Sequence, residues 1–188
     1  MGDFALKTGQ NTLVIGQREP NARIKQLRLG GADPTVPQDA LLQIAGADFA
    51  GKSDAQNARI STLSGFGSQS ATIMPVTAPS VEPAQIEQAA MVCYSVQLPA
   101  GERNATFRFL PTSAINSAHG LRAAVRINGG AMRVLDLNAQ EYTCEWGDNV
   151  LRGYSQREVS FEQSAGRKTE IEVRFLDPGL VLETIEFH

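Results

Sequence analysis

Short runs rich in Val, Ile, Leu and Phe recur along the whole chain, broken by Gly, Pro, Asn and Asp at intervals of about ten residues, the rhythm of a strand-based fold. In residues 92–98, Val92, Tyr94, Val96 and Leu98 alternate strictly with Cys93, Ser95 and Gln97. A period of two places the two sets on opposite faces of a strand. Ala105, Phe107 and Phe109 repeat the pattern against Thr106 and Arg108. In residues 121–127 the same alternation predicts Ala123, Val125 and Ile127 toward the core and Arg122 and Arg126 toward solvent. That strand runs into Asn128-Gly129-Gly130, a hairpin signal because its turn needs positive φ at both central residues. Ile171, Val173 and Phe175 alternate with Glu170, Glu172 and Arg174, and Asp177-Pro178-Gly179 then turns the chain into residues 180–187, which predicts a closing hairpin. Only residues 84–90 and 147–152 hint at helix. Both windows are too short for a helix to stand alone, so single turns or loops are expected there.

The predicted fold is all-β: a jelly-roll-like antiparallel β-sandwich with an extra N-terminal β-hairpin. The hairpin comes from an internal match in which residues 11–29 lie over residues 169–187. Leu13 falls on Ile171, Ile15 on Val173, Glu19-Pro20 on Asp177-Pro178, and Ile24, Leu27 and Leu29 on Leu182, Ile185 and Phe187. Residues 1–30 are accordingly read as a hairpin, either the tail of an upstream sandwich or added strands. A lone hairpin exposes unpaired edges, so it is expected to extend a sheet within the chain or across a homodimer. Residues 31–39, with the proline-rich stretch 34–37 after Gly30-Gly31, form a linker, and residues 40–188 form the main sandwich. Proline-rich residues 75–83 are expected to be a long surface loop.

Charge narrows the choice of partner. The chain of 188 residues carries 17 basic and 20 acidic side chains, interspersed, with a pI near 5.4. It has no electrostatic footprint for nucleic acid or for an anionic membrane. No apolar run is long enough to cross a bilayer, and residues 1–10 lack the regions of a signal peptide. Two cysteines, Cys93 and Cys144, are too few for a disulfide framework. Two buried free thiols are expected in preference to a bridge.

Six segments in order carry a resemblance: residues 42–49 (LQIAGADF), residues 63–67 (LSGFG), residues 107–112 (FRFLPT), residues 121–125 (LRAAV), Trp146 with Asn149-Val150-Leu151, and residues 177–182 (DPGLVL). From residue 40 to residue 188 the sequence resembles the C-terminal β-sandwich domain of glycoside hydrolase family 115, the α-glucuronidases. The resemblance implies a parent enzyme that removes glucuronic acid from xylan or related plant polysaccharides in the periplasm or outside the cell. This chain would then be a distal accessory sandwich whose partner is the catalytic domain of the same polypeptide. It contains no catalytic region of that family.

The residues themselves offer little for catalysis. A nucleophilic triad needs a base beside its nucleophile, and the only histidines are His119, read as a loop residue, and the terminal His188. No His, Cys or carboxylate cluster has zinc or EF-hand spacing, so no cofactor is expected. A structural calcium held by backbone carbonyls would leave no mark in the sequence. Gly65-Phe66-Gly67 is read as a tight turn, since it leads into a strand-like run and lacks Gly-Lys-Ser. The one concentration of sugar-binding chemistry is Tyr142, Trp146, Asp148, Asn149, Arg152 and Tyr154. It offers aromatic faces for stacking, with amide, guanidinium and carboxylate groups for hydroxyls. Two readings stand beside each other: Trp146 plugs the end of the core, or it is the floor of a platform for a plant polysaccharide or oligosaccharide. The parallel alternatives for the whole chain are a carbohydrate-binding accessory module and a structural or oligomerising module.

Overall fold

The structure, a computed structural model, describes residues 40–65, 68–116 and 119–188. The hairpin expected at residues 1–30, the linker at 31–39 and any homodimer built through them lie outside the described residues. In chain order the described elements are β1 (Leu42–Ala45), β2 (Gly51–Ser53), β3 (Arg59–Gly65), β4 (Ser68–Met74), a 3₁₀ helix (Pro83–Gln88), β5 (Met91–Gln97), β6 (Gly101–Phe109), β7 (Arg122–Ile127), β8 (Arg133–Asp136), α1 (Cys144–Arg152), β9 (Ser155–Gln163), β10 (Lys168–Phe175) and β11 (Val181–Phe187). The first sheet runs β3-β4-β11-β6-β9, with β1 also on β11; the second runs β2-β5-β10-β7-β8. Every pairing between these strands is antiparallel.

The predicted alternation sets the core. Val92, Tyr94, Ala105, Phe107, Phe109, Ala123, Val125, Ile171, Val173, Phe175, Ile185 and Phe187 are all buried in one cluster. Val96 is partly buried against it. Burial of such side chains contributes about 1.5–3 kcal/mol each, which is why a two-sheet sandwich forms at all. The Asn128-Gly129 turn has φ of 52° and 69°, the pair of positive values its hairpin requires. It joins β7 to β8 as expected.

The closing segment is not a hairpin. β10 pairs with β5 and β7 in the second sheet, whereas β11 pairs with β1, β4 and β6 in the first. The Asp177-Pro178-Gly179 turn is therefore an arch between layers. Leu176, Asp177 and Leu180 are buried there, unlike the tip of a surface turn. Turn chemistry reports a change of direction and not which sheet receives the next strand, so the sequence could not separate the two.

Arg122 does not face solvent either. Its guanidinium grips Asp177, with Nε donating to Oδ2 at 2.8 Å and Nη2 to Oδ1 at 3.0 Å, while the Arg122 backbone N–H donates to Oδ2 at 2.8 Å. This bond to Asp177 raises the Arg122 pKa further, against the opposing effect of burial. The pair is held because residues 75–90 fold over the outer face of the second sheet. The 3₁₀ helix lies there, with Arg174 Nη1 donating to the Glu87 carbonyl at 2.6 Å and Nη2 ion-paired to Glu87 at 2.7 Å. Arg126 is partly covered as well, between Glu87 and Glu172. The proline-rich stretch is thus a cover for one sheet face, with Ala78 buried and Val81 donating its N–H to Leu176.

Gly46 marks where one edge of β11 passes from β1 to β4. β1 pairs with Thr184 to Phe187, and β4 takes over at Val181 and Leu182. The Gly46 N–H donates to Glu183 at 2.7 Å, and the buried Tyr94 hydroxyl donates to the Gly46 carbonyl at 2.5 Å. Burial raises the Tyr94 pKa far above that of a free phenol. Both cysteines are free, yet only Cys93 is even partly buried; Cys144 is exposed at the start of α1.

Candidate functional site

Residues 144–152 form a nine-residue α-helix where single turns were expected. The short window missed two caps. Thr143, extended at φ −78°, accepts the Trp146 N–H on its Oγ1 at 3.3 Å, and Gly153, left-handed at φ 85°, closes the other end by donating to the Asn149 carbonyl at 3.0 Å. Glu145 in the first turn and Arg152 in the last complement the helix dipole. Glu145 also pairs with Arg157 of β9 at 2.9 Å, tying α1 to the edge of the first sheet.

The six predicted site residues divide into two groups and one outlier. Tyr142, 87% exposed and itself at φ 66°, sets its ring 5.4 Å from that of half-buried Trp146, tilted by 49°. Trp146, Asn149 and Val150 line an open cavity of about 200 Å³, completed by residues 111–114, residues 137–141 and Ser155. Trp146 lies on the cavity wall and is not among the side chains packed against the core cluster. The second group is Arg152 and Tyr154. Arg152 Nε donates to the Tyr154 carbonyl at 2.8 Å, its Nη2 donates to Asn149 Oδ1, and its guanidinium lies 4.9 Å from the Tyr154 ring centre. Asp148 is exposed and lines neither group.

Tyr154 leads onto a face that the sequence reading did not single out. Arg108 of β6 sits 4.3 Å over its ring and pairs with Glu186 of β11 at 2.7 Å. Glu186 is wholly buried, and burial raises its pKa against the lowering influence of Arg108 and His188. The alternation already placed Thr106 and Arg108 outward on β6, but their meeting with β11 and β9 depends on which strands pair.

The loop histidine His119 places its Nε2 3.5 Å from Glu82. No three His, Cys, Asp or Glu side chains among the described residues gather as a metal site.

Two facing antiparallel sheets with non-sequential strand order define a jelly-roll type of β-sandwich. Residues 36–187 match the family described as the glycosyl hydrolase family 115 C-terminal domain, and the chain belongs to that family. A family 115 4-O-methyl-α-glucuronidase with specificity for decorated arabinogalactans superposes with a TM-score of 0.61 at 20% identity, over 87% of this chain and 19% of that one. An exo-β-1,3-galactanase from Phanerochaete chrysosporium, solved with galactose, gives 0.50 at 14% identity, over 78% and 29%. A family 6 carbohydrate-binding module of Cellvibrio mixtus lichenase 5A, in complex with cellotriose, gives 0.48 at 11% identity over 79% and 97%. No curated protein matches the chain. This chain spans 19% of the length of the α-glucuronidase.

Proposed function

We propose that this chain is the non-catalytic accessory sandwich of a secreted or periplasmic polysaccharide-degrading glycoside hydrolase of the α-glucuronidase type, and that it helps to hold the glycan. The observation that carries the binding role is the Tyr142–Trp146 pair beside the open cavity. Exposed Tyr142 offers a flat apolar ring at little entropic cost, and the capped helix fixes Trp146 behind it. Asn149 and the loop polar groups supply hydrogen-bonding capacity at the cavity wall. Arg152 bonds both to the Tyr154 carbonyl and to Asn149, so its role is to hold the helix end in place, and Asp148 is a peripheral contact at most.

Affinity electrophoresis of the chain in gels containing glucuronoxylan or arabinogalactan tests the reading. Retardation is expected with at least one of them, reduced about tenfold or more in apparent affinity by Tyr142→Ala or Trp146→Ala, the usual cost of losing a stacked aromatic face. Unretarded migration in both gels would refute it.

A second reading has its own observation. Val150 and Leu151, 49% and 57% exposed, stand on the same helix as Trp146, an apolar strip suited to packing against the catalytic part of a parent enzyme. Under that structural role, Leu151→Asp would lower the melting temperature of the parent enzyme while leaving glycan retardation of the isolated chain unchanged.

A further inference from the structure

The outer face of the first sheet carries a second polar pocket, of about 300 Å³, unconnected to Trp146. Strand register builds it. Glu186 of β11, Thr106 of β6 and Glu158 of β9 lie in one row across three strands, and Thr184, Arg108 and Gln156 lie in the next. With adjacent strands about 4.8 Å apart, Glu186 and Glu158 stand roughly 10 Å from each other across Thr106.

The floor of this pocket is unfinished as protein. Glu186 Oε1 lies 2.7 Å from Arg108 Nη1 as an ion pair, but among the described residues neither Glu186 oxygen, nor Arg108 Nε, nor Thr184 Oγ1 has a hydrogen-bond partner, although all are buried. Buried polar groups are almost always satisfied, so three such atoms on the pocket-lining Glu186 and Arg108, with the Thr184 hydroxyl in the row beside them, call for partners from within the pocket. Two are carboxylate acceptors, one is a guanidinium donor and one is a hydroxyl. A ligand hydroxyl donates and accepts at once and so can meet this mixed set. The charges select further. Glu186 and Glu158 disfavour an anionic ligand, while Arg108 beside Glu186 disfavours a bare cation. Arg108 already lies over the Tyr154 ring, so recognition here is by hydrogen bonding rather than stacking.

We infer that this pocket is a second glycan subsite, which takes a neutral polyhydroxylated sugar ring through Glu186 and Arg108. It extends the glycan-binding reading above, on which its ligand class rests, to a place on the fold independent of the aromatic platform. Uronic acid residues are rejected here by the two glutamates.

Amide chemical-shift mapping of the full chain tests the subsite, with D-xylose, D-galactose, D-glucose and D-glucuronate added separately at millimolar concentration. At least one neutral sugar is expected to shift the amides of Arg108, Gln156 and Glu186, and glucuronate is not. Trp146→Ala should leave these shifts in place, which separates this site from the platform. Glu186→Gln should weaken them about tenfold, as loss of a charge-assisted hydrogen bond does. Glu158→Gln, at an exposed position, gives a second reading of the same kind should the first variant disturb folding. The inference is overturned if no neutral sugar moves those amides, if glucuronate moves them equally, or if the shifts vanish with Trp146→Ala. Loss of retardation in the electrophoresis with these shifts intact would remove the platform alone.

Discussion

Replacing Gly46 by alanine should cost a substantial part of a typical domain's margin of stability. A Cβ at this position would lie 2.0 Å from the Leu182 carbonyl oxygen, 2.8 Å from its carbon and 3.1 Å from the Ala71 nitrogen. All three are backbone atoms of central strands, so no side chain can swing aside. Relief requires β1 to lift from β11, which stretches the Gly46 N–H bond to Glu183 and the Ala47 N–H bond to Gln69, together with the Tyr94 hydroxyl bond to Gly46. Overpacking against backbone costs roughly 1–3 kcal/mol or more, and each hydrogen bond weakened in the interior adds up to about 1 kcal/mol. A loss of about 4 kcal/mol follows, against a total of roughly 5–15 kcal/mol for a domain. At about 2–4 °C per kcal/mol for a chain of this length, the melting temperature should fall by roughly 8–16 °C. Thermal unfolding followed by far-ultraviolet circular dichroism measures it. A fall of less than about 3 °C would show that the edge of β11 is not shared as described.

Three further outcomes are expected. Arg122→Ala strands the buried Asp177 carboxylate at the arch and should cost about 3–5 kcal/mol in urea unfolding; a loss below about 1 kcal/mol would mean that the pair does not hold the arch. Thr143→Ala removes the N-cap of α1 and should lower stability by about 0.5–2 kcal/mol and weaken retardation in glycan gels, because Trp146 is no longer fixed; unchanged retardation would detach the helix from the proposed binding role. Burial raises the Glu186 pKa in the fold, amid Arg108, His188, Glu183 and Glu158, so folding penalises its ionised form relative to its neutral one. Its contribution to stability is complete below its ordinary 4.5 and is lost as pH climbs through the higher folded-state value. Glu186→Gln should therefore melt above the unsubstituted chain at neutral pH, with the gap closing in mildly acidic buffer; a gap that widens on acidification would reverse the sign of the reasoning.

Some of the site was legible without a fold. Trp146, Asn149 and Tyr142 stood out as a cluster of aromatic and amide groups, and the structure does place them together. Helix α1 was not legible in full, because its window was read from residue 147 and the stabilising groups lie outside it, in the Thr143 hydroxyl and the Gly153 backbone. Arg108 and Glu186 were invisible as a pair: they are far apart in the chain, and only β6 lying beside β11 brings them within an ion pair's reach.

Alternation along each strand needs only the pleat, so the sequence by itself determined which side chains of β5, β6, β7 and β10 enter the core, and with them the sandwich class. Turn residues determined where the chain reverses. Which strands become neighbours was decided by tertiary structure alone, because pairing depends on burying whole faces against each other and not on local preference. That is why one Asp-Pro-Gly turn became an arch between sheets, why Arg122 on the outer face is covered and paired with Asp177, and why a buried carboxylate came to floor a pocket that no local pattern announces.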